Sequence, residues 1–189
     1  MSAGADTPSP RTPARPMAFT GEELARGGVF TWLVFLALVA LVIVVPELAS
    51  TLAAGWAGIL AGDDAGAIWS SRIAELFGGL QYLLMALVIC GLVAAIVALA
   101  ITPLAGLVGR GLARVRRRAI HLCAYFGLGA VVGGAIALGI GALTRFWYPP
   151  FLVATTIITA VATATGWWLT ARAALRADAG RASTGSDPS

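Results

Sequence analysis

Residues 76–109, 119–144 and 146–171 contain no Asp, Glu, Lys or Arg, and His121, the sole histidine of the chain, is the only titratable exception of its kind within them. Each run exceeds the roughly 20 residues that carry an α-helix across about 30 Å of hydrocarbon at 1.5 Å per residue. A fourth run, residues 27–46, just reaches that length. Lipid offers the backbone no hydrogen-bond partner, so such segments fold as helices that close their bonds internally. The chain therefore reads as an all-α, polytopic integral membrane protein. Its expected core is a four-helix transmembrane bundle with spans at about residues 29–46, 77–101, 120–144 and 151–171.

With 59% hydrophobic and 12% charged residues, the composition excludes an ordinary soluble domain. Residues 1–19 are rich in Pro and small polar residues and predict a disordered N-terminal tail; residues 175–189 predict a second one, which leaves residues 20–174 as the membrane domain. Helix begins at Thr20, where Thr20 and Glu23 form a T-x-x-E capping box and Phe19 and Leu24 stand at the offsets of a hydrophobic staple. Pro46 closes the first span and Pro103 ends or kinks the second, because the ring removes a helix donor and crowds the preceding residue. Between the first two spans, Trp69, Ile73, Leu76 and Phe77 recur at helical spacing and predict a short outer interfacial helix. The turn at residues 145–150 is short, so the last two spans form an antiparallel hairpin. Trp147 at one end of the fourth span and Trp167 with Trp168 at the other suit aromatic belts.

Charge sets the orientation. All 13 basic residues are Arg, and those at positions 11, 15, 26, 110, 114, 116, 117, 118, 172, 176 and 181 fall on one side of the four spans, against Arg72 and Arg145 on the other. An excess of Arg marks the cytoplasmic side, so a multi-pass protein of a bacterial cytoplasmic (inner) membrane with both termini inside is expected. The basic cytoplasmic loop, with Arg110, Arg114, Arg116, Arg117 and Arg118, is placed to contact anionic lipid head groups by snorkelling. A net charge of +4 gathered at membrane ends is explained by lipid, and no nucleic-acid partner is expected.

Residues that carry chemistry are few. No G-x-S-x-G, H-E-x-x-H, nucleotide-binding loop or pair of buried carboxylates occurs, so no enzymatic activity, cofactor or metal is expected. Cys90 and Cys123 lie at different depths, which argues against a disulfide. Gly129 and Gly133 form a small-xxx-small motif and Ala160 and Ala164 another, both candidates for close helix packing within the chain or between copies. A candidate polar path comprises His121 and Tyr125, which share a helix face at i,i+4 near the cytoplasmic interface, and Thr155, Thr159 and Thr163 at the same spacing on the fourth span. Threonine hydroxyls in membrane helices more often bond to their own i−4 carbonyls, which leaves them chemically silent. The expectation is thus a small non-enzymatic accessory or structural subunit of an envelope or transport assembly, meeting lipids and other membrane proteins or itself. The alternative is a small-solute or ion transporter or channel that uses the Thr-lined face.

The orientation has a direct check. Cysteine labelling from outside the cell is expected to modify a Cys placed at Asp64 and not one placed at Arg117, and the reverse pattern overturns the topology.

Overall fold

The computed structural model describes residues 10–62, 64–145 and 147–184. Asp63, one of two acidic residues in the expected outer turn, lies outside them, as do residues 1–9 and 185–189 of the expected tails. Among the described residues the fold is all-helical without β-strands, in the order α1 (Gly21–Leu60), α2 (Ala65–Leu112), α3 (Arg118–Thr144) and α4 (Pro149–Thr184). All four are long and apolar enough to cross a membrane, so the chain is a multi-pass membrane protein.

The start of α1 follows the local chemistry. Glu23 N–H donates to Thr20 Oγ1 at 3.1 Å and Thr20 N–H donates to Glu23 Oε2 at 2.9 Å, closing the capping box in both directions. Neither proline ends its helix, contrary to the expectation that Pro46 closes the first span and to the first of the two alternatives at Pro103. Helix α1 runs through Pro46 to Leu60, and α2 runs through Pro103 to Leu112. Each proline withdraws one donor, from the carbonyls of Val42 and Leu99. Ending the helix in an apolar setting leaves several backbone groups unbonded instead of one, so continuation costs less. Beside Pro103, Thr102 Oγ1 donates to Ala98 O at 2.7 Å and adds a bond to the same turn. The residues expected to form a separate interfacial helix are the first turns of α2, with no break before the second span. Asp64 begins α2 by accepting from the amides of Gly66 and Ala67 at 3.3 and 3.2 Å.

The chain divides into two compact units, Met1–Phe35 with Ile96–Ser189, and Leu36–Ala95. In the first, α3 and α4 form the expected hairpin, and Arg145 turns the chain in a left-handed conformation with φ 56°. The residues of α3 buried inside the protein are His121, Tyr125, Gly129, Gly133, Ala137 and Gly141, one every four positions. This single stripe is the ridge that meets α4. At its centre the backbones touch: a Cβ on Gly129 would lie 2.6 Å from Thr159 O and 2.8 Å from Ala160 Cα, and one on Gly133 would lie 2.8 Å from Thr155 O. Ala160 is fully enclosed on the facing helix, while Ala164 is half-buried. Helix α1 joins α4 by the same device, since a Cβ on Gly166 would lie 2.8 Å from Thr31 Cα and one on Gly27 would lie 2.9 Å from Thr170 Oγ1.

Residues 10–19 make more contact than a Pro-rich tail suggests. Met17 is buried with Tyr125, Trp167 and Ala171, and its amide donates to Ala113 O at 3.3 Å. Arg11 is the anchor, with a side chain only 7% exposed. It donates to both carboxylate oxygens of Glu23 at 2.8 and 3.2 Å, to the carboxylate of Asp178, and to Ala18 O at 3.1 Å. Burial by itself disfavours the guanidinium charge, but the hydrogen bonds and attraction from Asp178 and Glu23 outweigh it and hold the Arg11 pKa above its ordinary value. The charge that ties the N-terminal segment to α1 and α4 therefore persists at every physiological pH.

Two expectations follow. Gly133→Leu lowers the stability of the detergent-solubilised protein by about 1–3 kcal/mol through overpacking, whereas Gly139→Leu, whose added Cβ meets nothing within 4 Å, leaves the thermal midpoint near that of the parent. Equal behaviour of the two variants overturns the close α3–α4 contact. Arg11→Gln removes the positive charge that Glu23 and Asp178 share and costs about 2 kcal/mol, less than a fully buried pair because the carboxylates keep some solvent. Hydrogen exchange at the Met17 amide is expected to rise about tenfold in that variant; unchanged protection means that apolar packing alone holds the segment.

Candidate functional site

A buried group of polar aromatic side chains in the first unit lies where the α3 stripe changes from small residues to large ones. His121 and Tyr125, one turn apart on α3, both lie beneath the indole of Trp167 from α4. The His121 ring is stacked on Trp167 at 5.1 Å with an interplanar angle of 18°, and Tyr125 at 5.6 Å and 19°. Met17, Phe19, Ala105, Val108, Leu122 and Leu128 surround this stack.

His121, expected near the cytoplasmic interface, is 0% exposed. The sequence signal was misleading because position 121 lies only three residues past Arg118, while the N-terminal segment that covers the stack is not visible from α3 alone. His121 Nδ1 lies 3.3 Å from Arg117 O. A carbonyl only accepts, so in this hydrogen bond Nδ1 is the donor. Neither His121 Nε2 nor Trp167 Nε1 meets a hydrogen-bond partner among the described residues. The Tyr125 hydroxyl does not bond to His121; it donates to Ala105 O on α2 at 3.1 Å, and the absence of a side chain at Gly109 gives it room.

Trp167 also departs from the aromatic-belt expectation. Adjacent residues on a helix point about 100° apart, so Trp167 and Trp168 do not share one environment. Trp167 is 6% exposed in the protein core, whereas Trp168 stays at the surface with the Arg172 guanidinium 5.1 Å from its ring centroid.

The threonine face of α4 is turned onto its own backbone. Thr159 Oγ1 donates to Thr155 O at 2.7 Å and Thr163 Oγ1 to Thr159 O at 2.8 Å, and Thr156 and Thr170 repeat the pattern. Thr155, Thr159 and Thr163 form the surface against which Gly129 and Gly133 pack. Thr155, Thr159 and Thr163 are therefore brought to the α3–α4 seam, and His121 and Tyr125 to its wider end. The sequence placed each of these residues on a helix face but did not show that the two faces meet.

Arg110, Arg114, Arg116, Arg117 and Arg118 are all exposed, on the last turn of α2, the loop and the first turn of α3. Arg116 donates to Pro13 O at 3.4 Å. Arg117 occupies the N-cap of α3 with no side-chain cap, and the helix opens with no acidic residue in its first turn. Positive charge at this end opposes the helix dipole. Cys90 and Cys123 are free thiols, Cys123 on an exposed face. Among the described residues, no three His, Cys, Asp or Glu side chains gather as metal ligands.

Compared with protein-family models, curated proteins and solved structures, the chain matches none.

Proposed function

We propose that this chain is a non-enzymatic accessory or structural component of a membrane assembly, set in a bacterial cytoplasmic membrane with both termini on the cytoplasmic side. The observation that carries the reading is the state of the threonine stripe. Thr159 and Thr163 spend their hydroxyls on their own helix and lie against the Gly129 and Gly133 backbone, so the face that a solute path would use supports helix packing instead. The missing catalytic motifs support the same reading.

The arginine cluster supports contact with anionic lipid. Five exposed arginines lie on the last turn of α2, the loop and the first turn of α3, whose N-terminus is uncapped and whose amides and dipole favour an anion. A phosphate there relieves the unfavourable placement of Arg117 and Arg118, each basic residue adding about 1 kcal/mol of attraction near an anionic leaflet. On this reading the first turns of α2 lie in the outer interface, because 48 residues of helix extend about 72 Å and hydrocarbon accounts for about 30 Å of it.

A transport reading rests on one specific observation, the buried His121 whose Nε2 meets no hydrogen-bond partner among the described residues. The two readings separate in liposomes. Purified chain is expected to pass protons and small ions no faster than empty vesicles do, and to leave native membranes, in mild detergent, within a complex of fixed stoichiometry. Permeation that disappears in His121→Phe or in the Thr159→Val, Thr163→Val double variant overturns the accessory reading.

A further inference from the structure

The second unit, Leu36–Ala95, holds the connected ends of α1 and α2. They pack on each other at Gly55, where an added Cβ would lie 2.8 Å from Trp69 Cη2, and Trp56 meets Trp69 edge to face with ring centroids 6.4 Å apart. The hairpin so formed has two unlike backs. On α1, Leu48, Leu52, Trp56 and Leu60 follow one another at i,i+4 and are all exposed, Leu60 by 86%. Residues 48–60 carry no charge. On α2, the side turned away from Trp69 presents Ser71 and Glu75, both exposed.

Helix length shows how far the apolar back stands from hydrocarbon. Residues 27–46 cross the bilayer, so the continuing helix carries the stripe about 20 Å further. The uncharged run 76–109 of α2 overshoots by a similar amount, about 51 Å against about 30 Å. Tilting a straight helix of that length to fit would need about 54°, more than the roughly 40° that spans reach. A bend is the remaining solution, and both helices have a weak point at one level. Pro46 leaves the Val42 carbonyl without its helix donor, and Gly78 and Gly79 stand side by side on α2. Val44 and Glu47, on either side of Pro46, line the same gap between the helices as Gly79 and Leu80.

We propose that the hairpin of residues 47–77 bends at Pro46 and Gly78–Gly79 and lies on the outer leaflet of the bilayer that the chain spans. The α1 back enters lipid, and Ser71 and Glu75 turn to water. Continuity identifies lipid as the cover. The stripe follows on one helix from Leu41 and Val45, which are exposed at hydrocarbon depth, and the bend extends the same cover past Pro46. Trp56 then sits at the head-group boundary that indole rings favour. The choice of leaflet rests on the orientation in the proposed function; the contact itself does not.

Electron paramagnetic resonance of the full-length chain in phosphatidylcholine vesicles tests the proposal. Cys90 and Cys123 are replaced by Ala, and one spin label is carried by Ala53→Cys on the α1 back or by Ser71→Cys on α2. The label at position 53 is expected to collide with lipid-soluble oxygen and to be shielded from a water-soluble nickel chelate, and the label at position 71 to show the opposite. Leu52→Asn combined with Leu60→Asn is expected to raise nickel access at position 53 about tenfold, since both leucines give up apolar burial. Exchange of Pro46, Gly78 and Gly79 for Ala is expected to turn the same label out to water, and shielding that survives this exchange overturns the bend. Nickel access at both positions in the parent overturns the proposal, because the hairpin then stands in water. Shielding of position 53 from both reagents, or dipolar broadening that disappears on dilution with unlabelled chain, overturns it as well, because protein then covers the face. Label depth does not depend on which leaflet is involved, whereas labelling from outside the cell at position 64 does, so a wrong orientation and a wrong contact are told apart.

Discussion

The approach of the α3 and α4 backbones at Gly129 and Gly133 is the contact from which the arrangement of the first unit follows. Between helices immersed in lipid the hydrophobic effect supplies no net drive, since an acyl chain is as apolar as leucine. What remains is close packing, and its strength rises steeply as backbones approach. The glycines permit contact with Thr159 O and Ala160 Cα at distances that any side chain would block. Once α3 and α4 meet there, the four-residue repeat sets every other level of the seam: Ala137 and Gly141 in one direction, Tyr125 and His121 in the other.

The change in residue size along that repeat gives the seam two characters. At the glycine end it is dense, and threonine hydroxyls that a cavity would expose are bonded to the preceding turn. At the other end the rings of His121 and Tyr125 occupy the space between the helices under Trp167. Met17 completes the enclosure, and Arg11 secures the segment that carries it through carboxylates from α1 and α4. The buried histidine is thus a product of three parts of the chain.

Continuity of the first two helices reflects a second constraint, the need to satisfy every backbone group away from water. Pro46 and Pro103 each remove a single donor and the helices pass through them. The residues between the first two spans read as a loop with an interfacial helix because proline is a reliable terminator in soluble proteins. That rule assumes water is present to receive the freed carbonyls. The capping box at Thr20 and Glu23, which sits ahead of the apolar run, obeyed the ordinary rule because it depends only on groups three residues apart.

The number of spans, the hairpin of the last two and the small-residue candidates Gly129, Gly133, Ala160 and Ala164 were all determined by the sequence alone. Each depends on composition over about 20 residues or on spacing within one helix, and both survive transfer to any lipid environment. Which side of each helix turns inward was decided only by the tertiary structure. The helices are apolar on all faces, so no amphipathic pattern separates Trp167 from Trp168 or marks His121 as enclosed. The pairing of Arg11 with Asp178, 167 residues apart, was equally unreadable. An ion pair leaves no local periodicity, and only the folding of both ends of the chain onto one end of the bundle brings the two charges together.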